Sequence, residues 1–112
     1  MSNTLASFVP QLSAEIGSAT GASHAETCNA QMGIITTESL TTAAAAVEER
    51  TLTNSFIAAG SNVIVNMIGG TNTRYAVIPY VKTVAAGSAV IEFTNAHASA
   101  LNGTLVYSFL VL

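Results

Sequence analysis

From Gly33 onward, hydrophobic and polar residues alternate along the chain with a period of two. This period is typical of β-strands that bury one face and expose the other. Strands are predicted over the four segments in which the alternation is clearest: residues 62–68, 74–84, 89–94 and 104–112. Pro79 lies in the second segment and lacks a backbone N–H, which predicts an edge strand or a β-bulge there. The last segment is apolar on both faces, which favours a strand buried in a sandwich or at a subunit contact.

Small residues and glycines mark the turns between these strands. Turns with positive φ angles favour glycine. Three such sites separate the predicted strands: Gly69-Gly70, Ala86-Gly87 and Asn102-Gly103. Short strands at spacings of roughly 8 to 14 residues, without helical periodicity between them, predict an all-β fold, either an antiparallel β-sandwich or a small barrel.

The segment from Glu38 to Arg50 is ambiguous. Its four consecutive alanines, residues 43–46, have high helix propensity, and a preceding threonine could cap a helix. Residues 51–57, which follow, alternate as a strand does. Because tertiary contacts often override local propensity over one short run, we expect a strand here.

Residues 1–32 differ in composition from the rest of the chain. Ser, Ala, Thr and Asn dominate, and the hydrophobic residues are scattered. A short helix is compatible with residues 11–16, but residues 17–31 offer too little apolar surface to offset the entropy lost on ordering. The sequence therefore predicts an extended N-terminal arm, ordered only by a partner, and a β-sandwich domain over residues 33–112. A chain beginning at Gly33 is expected to fold without the arm.

The charge content is unusually low. Charged residues make up 8% of the 112 residues, against ~25% in average proteins, while 50% of the residues are hydrophobic. So few charges give little repulsion between copies, which favours a homo-oligomer or a docked subunit. With three cations and a net charge of −3, the chain cannot neutralise a run of phosphates, so no nucleic-acid partner is expected.

The sequence also bears on the compartment. The N-terminus has neither the positive region nor the continuous apolar region of a secretory signal, and no apolar run approaches the ~18 residues that cross a bilayer. We therefore expect a soluble protein, made in a cytoplasm, with no membrane partner. The single cysteine, Cys28, permits no internal disulfide, so packing alone must stabilise the fold.

Few residues offer catalytic or metal-binding chemistry. His24 and Cys28 are four residues apart, a spacing that would place a thiolate–imidazole pair, or half a metal site, on one face of a helix. Their surroundings disfavour a helix and the chain has no second cysteine, so no metal or cofactor is expected. The six acids, three cations and two histidines show no convergent set, so the sequence predicts no catalytic residue and no enzyme activity.

The charged residues of the predicted strands are expected to face solvent. The run Glu48-Glu49-Arg50 is interpreted as a solvated edge, because adjacent glutamates point to opposite faces of a strand and cannot act as a paired acid and base. Glu92 lies between two hydrophobic residues, so it is expected to face outward, towards Lys82 or Arg74 on another strand.

Four short segments of the sandwich region follow one another in a recognisable order: Thr51-Leu52-Thr53-Asn54-Ser55, Gly87-Ser88-Ala89-Val90-Ile91, Asn95, and Ala100-Leu101-Asn102-Gly103-Thr104. In this order the chain resembles small β-sandwich modules of tailed-bacteriophage virion proteins, found in capsid decoration (cement) proteins and in tail or fibre components. The resemblance covers residues 33–112. It implies a jelly-roll-like sandwich, commonly trimeric, that is displayed on the outer surface of the virion.

The resemblance also implies a function and partners. The chain is expected to be a decoration protein that bridges capsid proteins, with a tail or fibre module for host attachment as the alternative. The major capsid protein and further copies of the chain, as a trimer, are the expected partners, and the arm would pair with one of them by strand addition. Interface positions are predicted for hydrophobic residues of the arm and of the sandwich: Leu5, Phe8, Val9, Leu12, Ile16, Tyr75, Tyr80, Tyr107, Phe109 and Val111.

Overall fold

The computed structural model describes residues 16–112, which form eight β-strands and no α-helix. The strands are β1 (Ile16–Thr20), β2 (Ala25–Thr27), β3 (Met32–Thr36), β4 (Val47–Thr53), β5 (Val63–Gly69), β6 (Val77–Ala85), β7 (Ser88–Asn95) and β8 (Val106–Val111). They form two sheets, sheet A in the order β1-β3-β8-β5 and sheet B in the order β2-β4-β7-β6. The predicted all-β fold is confirmed, and the two sheets pack as a sandwich. Among the described residues, no helix is suited to crossing a membrane.

Both sheets are mixed rather than purely antiparallel. β1 pairs with β3 and β2 pairs with β4 in parallel, whereas the other neighbours are antiparallel. The first four strands alternate between the sheets, so the chain crosses to the other sheet between the members of each parallel pair, as a parallel connection requires. The expectation of antiparallel sheets is corrected at these two pairs.

Two strands form within the region that was predicted to be an arm. β1 and β2 pair with β3 and β4, and Cys28 and Ala30 join the core. The prediction that residues 17–31 need a partner to become ordered is therefore wrong. The hydrophobic pattern does not reveal these strands, because they contribute backbone hydrogen bonds and small side chains. At Gly17 only a small residue fits, since an added Cβ would lie 2.8 Å from Cys28 Sγ. The rest of the predicted arm, residues 1–15, lies outside the described residues.

The four predicted strands correspond to β5 through β8. In β5, the two valines and the methionine face inward as the alternation predicted. In β6, Pro79 lies on an edge strand of sheet B, and a bulge follows between Val81 and Thr83. The bulge shifts the alternation by one residue, so Val84 rather than Thr83 packs against the core.

The ambiguous alanine-rich segment is a strand only in its second half. β4 begins at Val47, whereas residues 39–46 are irregular and include a turn. The buried side-chain amide of Asn95 donates to the carbonyl oxygens of Thr42 and Ala43, each at 3.2 Å. In a helix, these carbonyl oxygens would accept backbone hydrogen bonds from residues four positions later. Because they accept from Asn95 instead, the alanine run does not form a helix.

The glycines of the predicted turns have two different roles. Gly70 and Gly87 have positive φ angles of 124° and 85°, as turns of this kind require. Gly103 lacks a positive φ angle and instead forms a β-bridge with Leu40. A Cβ added there would lie 2.6 Å from Thr71 Oγ1, so close approach of the backbone explains this glycine, and the predicted turn at Gly103 is corrected.

The core lies between the two sheets, and β8 contributes heavily to it. Tyr107, Phe109 and Val111 are buried, and the ring of Tyr107 lies 5.1 Å from that of Phe93 in sheet B. Burial of a large apolar side chain contributes roughly 1.5–3 kcal/mol. For these three residues of β8, the predicted interface role is replaced by a core role, because their side chains face the other sheet.

Candidate functional site

A fully buried arginine lies between the sheets. Arg50 is 0% exposed and projects inward from β4, on the same face as Glu48 and Leu52. The prediction of a solvated edge is wrong for Arg50 and Glu48, and only Glu49 of that run faces solvent. Because burying a guanidinium is costly unless its donors are paired, the surroundings of Arg50 must supply acceptors.

Three carboxylates, those of Glu26, Glu38 and Glu48, supply the acceptors for Arg50. We call these three side chains, together with Arg50, the Arg50 cluster. The Arg50 Nε and Nη2 atoms donate to Glu26 Oε1 at 3.1 and 2.7 Å. Nη2 also donates to Glu38 Oε1 at 2.6 Å, and Nη1 donates to Glu48 Oε2 at 2.8 Å. Such charge-assisted hydrogen bonds are stronger than neutral ones, and they offset the cost of burying the guanidinium.

Tyr107 connects the Arg50 cluster to sheet A. Its hydroxyl donates to Glu26 Oε2, the second oxygen of that carboxylate. Burial, and then the negative charge of Glu26, raise the pKa of Tyr107, so the hydroxyl keeps its proton and remains a donor. Since Glu26 lies on β2 and Tyr107 on β8, this hydrogen bond joins the two sheets.

Arg50 and its glutamate partners stabilise each other's charged forms. The hydrogen bond from Arg50 lowers the pKa of Glu38 to about 2, so this carboxylate is ionised at neutral pH. Burial opposes the charge on Arg50, but the hydrogen bonds with Glu26 and Glu38 outweigh it and raise the pKa of the guanidinium. The ion pair between Arg50 and Glu38 therefore persists across the physiological pH range.

His24 lies at the solvent side of the cluster, in the turn between β1 and β2. Its Nδ1 atom lies 2.5 Å from Glu48 Oε2, and its backbone N–H donates to Glu38 Oε2 at 2.9 Å. The hydrogen bond with Glu48 raises the pKa of His24. Ser23 and His24 have positive φ angles of 53° and 63°, which are uncommon for residues other than glycine. The contacts of His24 with both glutamates hold the turn in this conformation.

A cavity of about 530 Å³ opens beside His24, Glu38 and Glu48. The rest of its wall consists mainly of hydroxyl-bearing residues with two hydrophobic ones: Ser23, Ser39, Leu40, Thr41, Thr42 and Val47. The cavity therefore gives solvent access to one side of an otherwise buried group of charges.

The sequence held one indication of this cluster. Residues two apart in a strand share a face, so assigning Leu52 to the core also assigns Arg50 and Glu48 to it. Glu26 and Glu38 gave no such indication, because they lie 24 and 12 residues from Arg50 and only the tertiary fold brings them together.

The outer face of sheet A carries no charge. Its four strands contain no acidic, basic or histidine residue. The strand register aligns one hydrophobic side chain from each strand in a row: Ile16, Met32, Leu110 and Ile64. Ile34, Ile68 and Val106 add to this surface, which we call the sheet A face. Ile16 and Ile64 are 51% and 45% exposed, so the surface is open to contact.

The outer face of sheet B is different, because it carries ion pairs. Lys82 Nζ lies 2.9 Å from Glu49 Oε2 and 3.6 Å from Glu92 Oε2. The second contact confirms the prediction that Glu92 faces outward, towards a cation on another strand. Ile78 and Tyr80 are exposed beside these charges.

The structure separates the predicted interface residues. Ile16 lies on the sheet A face, Tyr80 lies on the outer face of sheet B, and Tyr75, which is 89% exposed, precedes β6. These three side chains therefore belong to different surfaces. The other four predicted interface residues of the arm lie outside the described residues: Leu5, Phe8, Val9 and Leu12.

Cys28 lies in the core rather than beside His24. Its thiol is buried, which raises its pKa, and its Sγ atom lies close to Gly17 and Gly33. A buried protonated thiol is a poor nucleophile, so Cys28 acts as a packing residue.

Comparisons of the chain with protein-family models, with curated proteins and with solved structures give no match. A function for this chain must therefore be inferred from its own residues. Its two distinctive features are the Arg50 cluster, which opens to a cavity, and the uncharged sheet A face.

Proposed function

We propose that this chain is a decoration protein of a tailed-bacteriophage capsid, which assembles with copies of itself and bridges subunits of the shell. The sheet A face is the observation that carries the proposal. An uncharged sheet surface that exposes a row of aliphatic side chains is typical of a surface covered in an assembly. The resemblance of residues 33–112 to small β-sandwich modules of capsid decoration proteins and of tail or fibre components supports a virion as the assembly concerned.

A second copy of the chain is the occupant we propose for the sheet A face. Two such faces can pack together without burying an unpaired charge, because their strands contain none. The formal net charge of −3 adds little repulsion between copies. In the proposed oligomer, each subunit covers this face with another copy of the chain and leaves the charged face of sheet B to solvent.

The proposed stabilisation of the capsid is thermodynamic. A protein that binds the assembled shell but not its free subunits stabilises the shell by mass action, by ~2.7 kcal/mol at a concentration of ~100 times Kd. We propose that residues 1–15 supply the link to the major capsid protein through main-chain hydrogen bonds. These residues directly precede β1, which is an edge strand of sheet A.

Replacing Ile64 with lysine should break the self-association. Ile64 lies in the aligned row of the sheet A face. A lysine buried there would lose hydration without gaining a partner, so the dissociation constant should rise roughly tenfold or more. Sedimentation velocity should show a shift from the oligomer towards the monomer.

Ile78→Lys is the matched control. Ile78 is also an exposed isoleucine on an edge strand, but it lies on the outer face of sheet B. This variant should keep the oligomer. Equal effects of the two substitutions, or a monomeric unaltered chain, would contradict the role proposed for the sheet A face.

Mass spectrometry of purified phage particles tests the capsid assignment. We expect a copy number close to that of the major capsid protein. A small copy number would favour the alternative, a tail or fibre module, for which Tyr75 and Arg74 beside a cavity of about 220 Å³ offer a contact surface. Absence of the chain from particles would overturn both assignments.

A further inference from the structure

Three potential metal ligands meet at the solvent side of the Arg50 cluster. His24 Nδ1 and one carboxylate oxygen each of Glu38 and Glu48 lie within 4.8 Å of one another. They come from three separate parts of the chain: the turn after β1, the segment after β3, and β4. The cavity of about 530 Å³ lies directly beside them.

The formal charges of the cluster are also compatible with a bound cation. Glu26, Glu38 and Glu48 contribute three negative charges and Arg50 contributes one positive charge, so the four side chains sum to −2. A divalent cation would bring this formal sum to zero. Uncompensated charge in a largely buried site is costly. We propose that His24, Glu38 and Glu48 bind a divalent transition-metal cation, for which zinc is the probe.

The ligand types favour a cation of this class. An imidazole nitrogen with two carboxylate oxygens suits zinc and its neighbours, whereas calcium and magnesium prefer oxygen ligands alone. Ligand atoms around a tetrahedral zinc lie roughly 3.3 Å apart, given bonds of ~2.0 Å. The distances from His24 Nδ1 to Glu48 Oε2 and Glu38 Oε2, 2.5 and 4.0 Å, lie on either side of this value. The His24 side chain is 64% exposed, so it can adjust without disturbing the core.

Arg50 has a positioning role in the proposed site. It donates to Glu38 Oε1 and Glu48 Oε2, and the backbone N–H of His24 donates to Glu38 Oε2. Hydrogen bonds of this kind orient the ligands of a metal and change its affinity by roughly 10–100-fold. The adjoining cavity has room for the water that completes a zinc site with three protein ligands.

Isothermal titration calorimetry of the full chain with zinc chloride at neutral pH tests the proposal. We expect one zinc ion per chain. His24→Gly should weaken binding at least roughly tenfold, because it removes the nitrogen ligand. Glycine is chosen since it tolerates the positive φ angle of His24 without strain. Glu38→Gln, which removes the charge of a second ligand, should weaken binding to a similar extent.

His97→Ala is the matched control, since the chain has two histidines. The Nδ1 atom of His97 accepts a hydrogen bond from the Ser99 backbone, and His97 is not one of the three candidate ligands, so this variant should bind zinc normally. Absence of a zinc-binding heat, unchanged affinity in His24→Gly, or equal losses in His24→Gly and His97→Ala would overturn the proposal. Because binding is measured on the isolated chain, the result does not depend on the proposed capsid role.

Discussion

Replacing Arg50 with methionine should lower the free energy of unfolding at neutral pH by ~3–5 kcal/mol, a large part of the total stability of a small domain. Methionine fills a similar volume, so the loss comes from charge rather than from a cavity. Glu26 and Glu48 would remain buried without the cation that pairs with both of them. Urea denaturation followed by tyrosine fluorescence measures the change, since the chain contains three tyrosines and no tryptophan.

The pH dependence of this loss provides a sharper check. In the unaltered chain, Arg50 holds the pKa of Glu38 at about 2, below its ordinary value of 4.5. The stability that Glu38 contributes is therefore present above pH 4.5 and is lost as the pH falls towards 2. In Arg50→Met, buried carboxylates without a counter-ion favour protonation, so acid should stabilise this variant. The difference between the two proteins should shrink as the pH falls.

Lys82→Met is the matched control for Arg50→Met. Lys82 also pairs with two glutamates of sheet B, but on the outer face, where solvent screens the charges. We expect little change in stability for this variant. A similar loss in both variants, or a loss in Arg50→Met that is independent of pH, would contradict the role assigned to the buried cluster. If Arg50→Met does not fold, Arg50→Lys keeps the charge and should show an intermediate loss.

A chain that begins at Ile16 should fold, whereas a chain that begins at Gly33 should not. The longer deletion removes β1 and β2, and with them the core residues Cys28 and Ala30. It also removes Glu26, which leaves Arg50 with one fewer carboxylate and the hydroxyl of Tyr107 without its acceptor. This outcome is the opposite of the expectation from sequence, which placed the start of the sandwich at Gly33.

Thermal unfolding of the two truncated chains distinguishes the alternatives. The chain from Ile16 should show a cooperative transition near that of the full chain, and it should lose binding to shells if residues 1–15 are the proposed link. The chain from Gly33 should show no cooperative transition. A cooperative transition in the shorter chain would mean that β1 and β2 are dispensable and that the boundary expected from sequence was right.

The alternation of residues predicted the strands that bury hydrophobic side chains on one face, which is why β5 to β8 were found. It missed β1 and β2 for a physical reason. The residues of β1, Ile16–Thr20, are mostly small, and β2 buries Glu26 rather than a hydrophobic side chain. These strands are ordered by backbone pairing with β3 and β4, a contribution that side-chain hydrophobicity does not report.

The candidate metal site could not be predicted from the sequence, because its residues are distant in sequence. His24 was compared with Cys28 because the two are close in sequence, but its partners are Glu38 and Glu48, which are 14 and 24 residues away. Glu48 and Arg50 were interpreted as part of a solvated edge, because only the local sequence around them was considered. In the folded chain, three of the six acidic residues surround one buried cation instead.

The position of β8 has a consequence for biosynthesis. β8 lies between β3 and β5 in sheet A, yet it is the last of the eight strands to leave the ribosome. Neither neighbour can complete its pairing before then, and the hydrogen bond between Tyr107 and Glu26 spans 81 residues. Proteins dominated by such distant pairings fold slowly, and their unpaired strands are prone to aggregate meanwhile. The nascent chain therefore exposes its uncharged strands until β8 has been synthesised, and folding, with any assembly that depends on it, follows the emergence of β8.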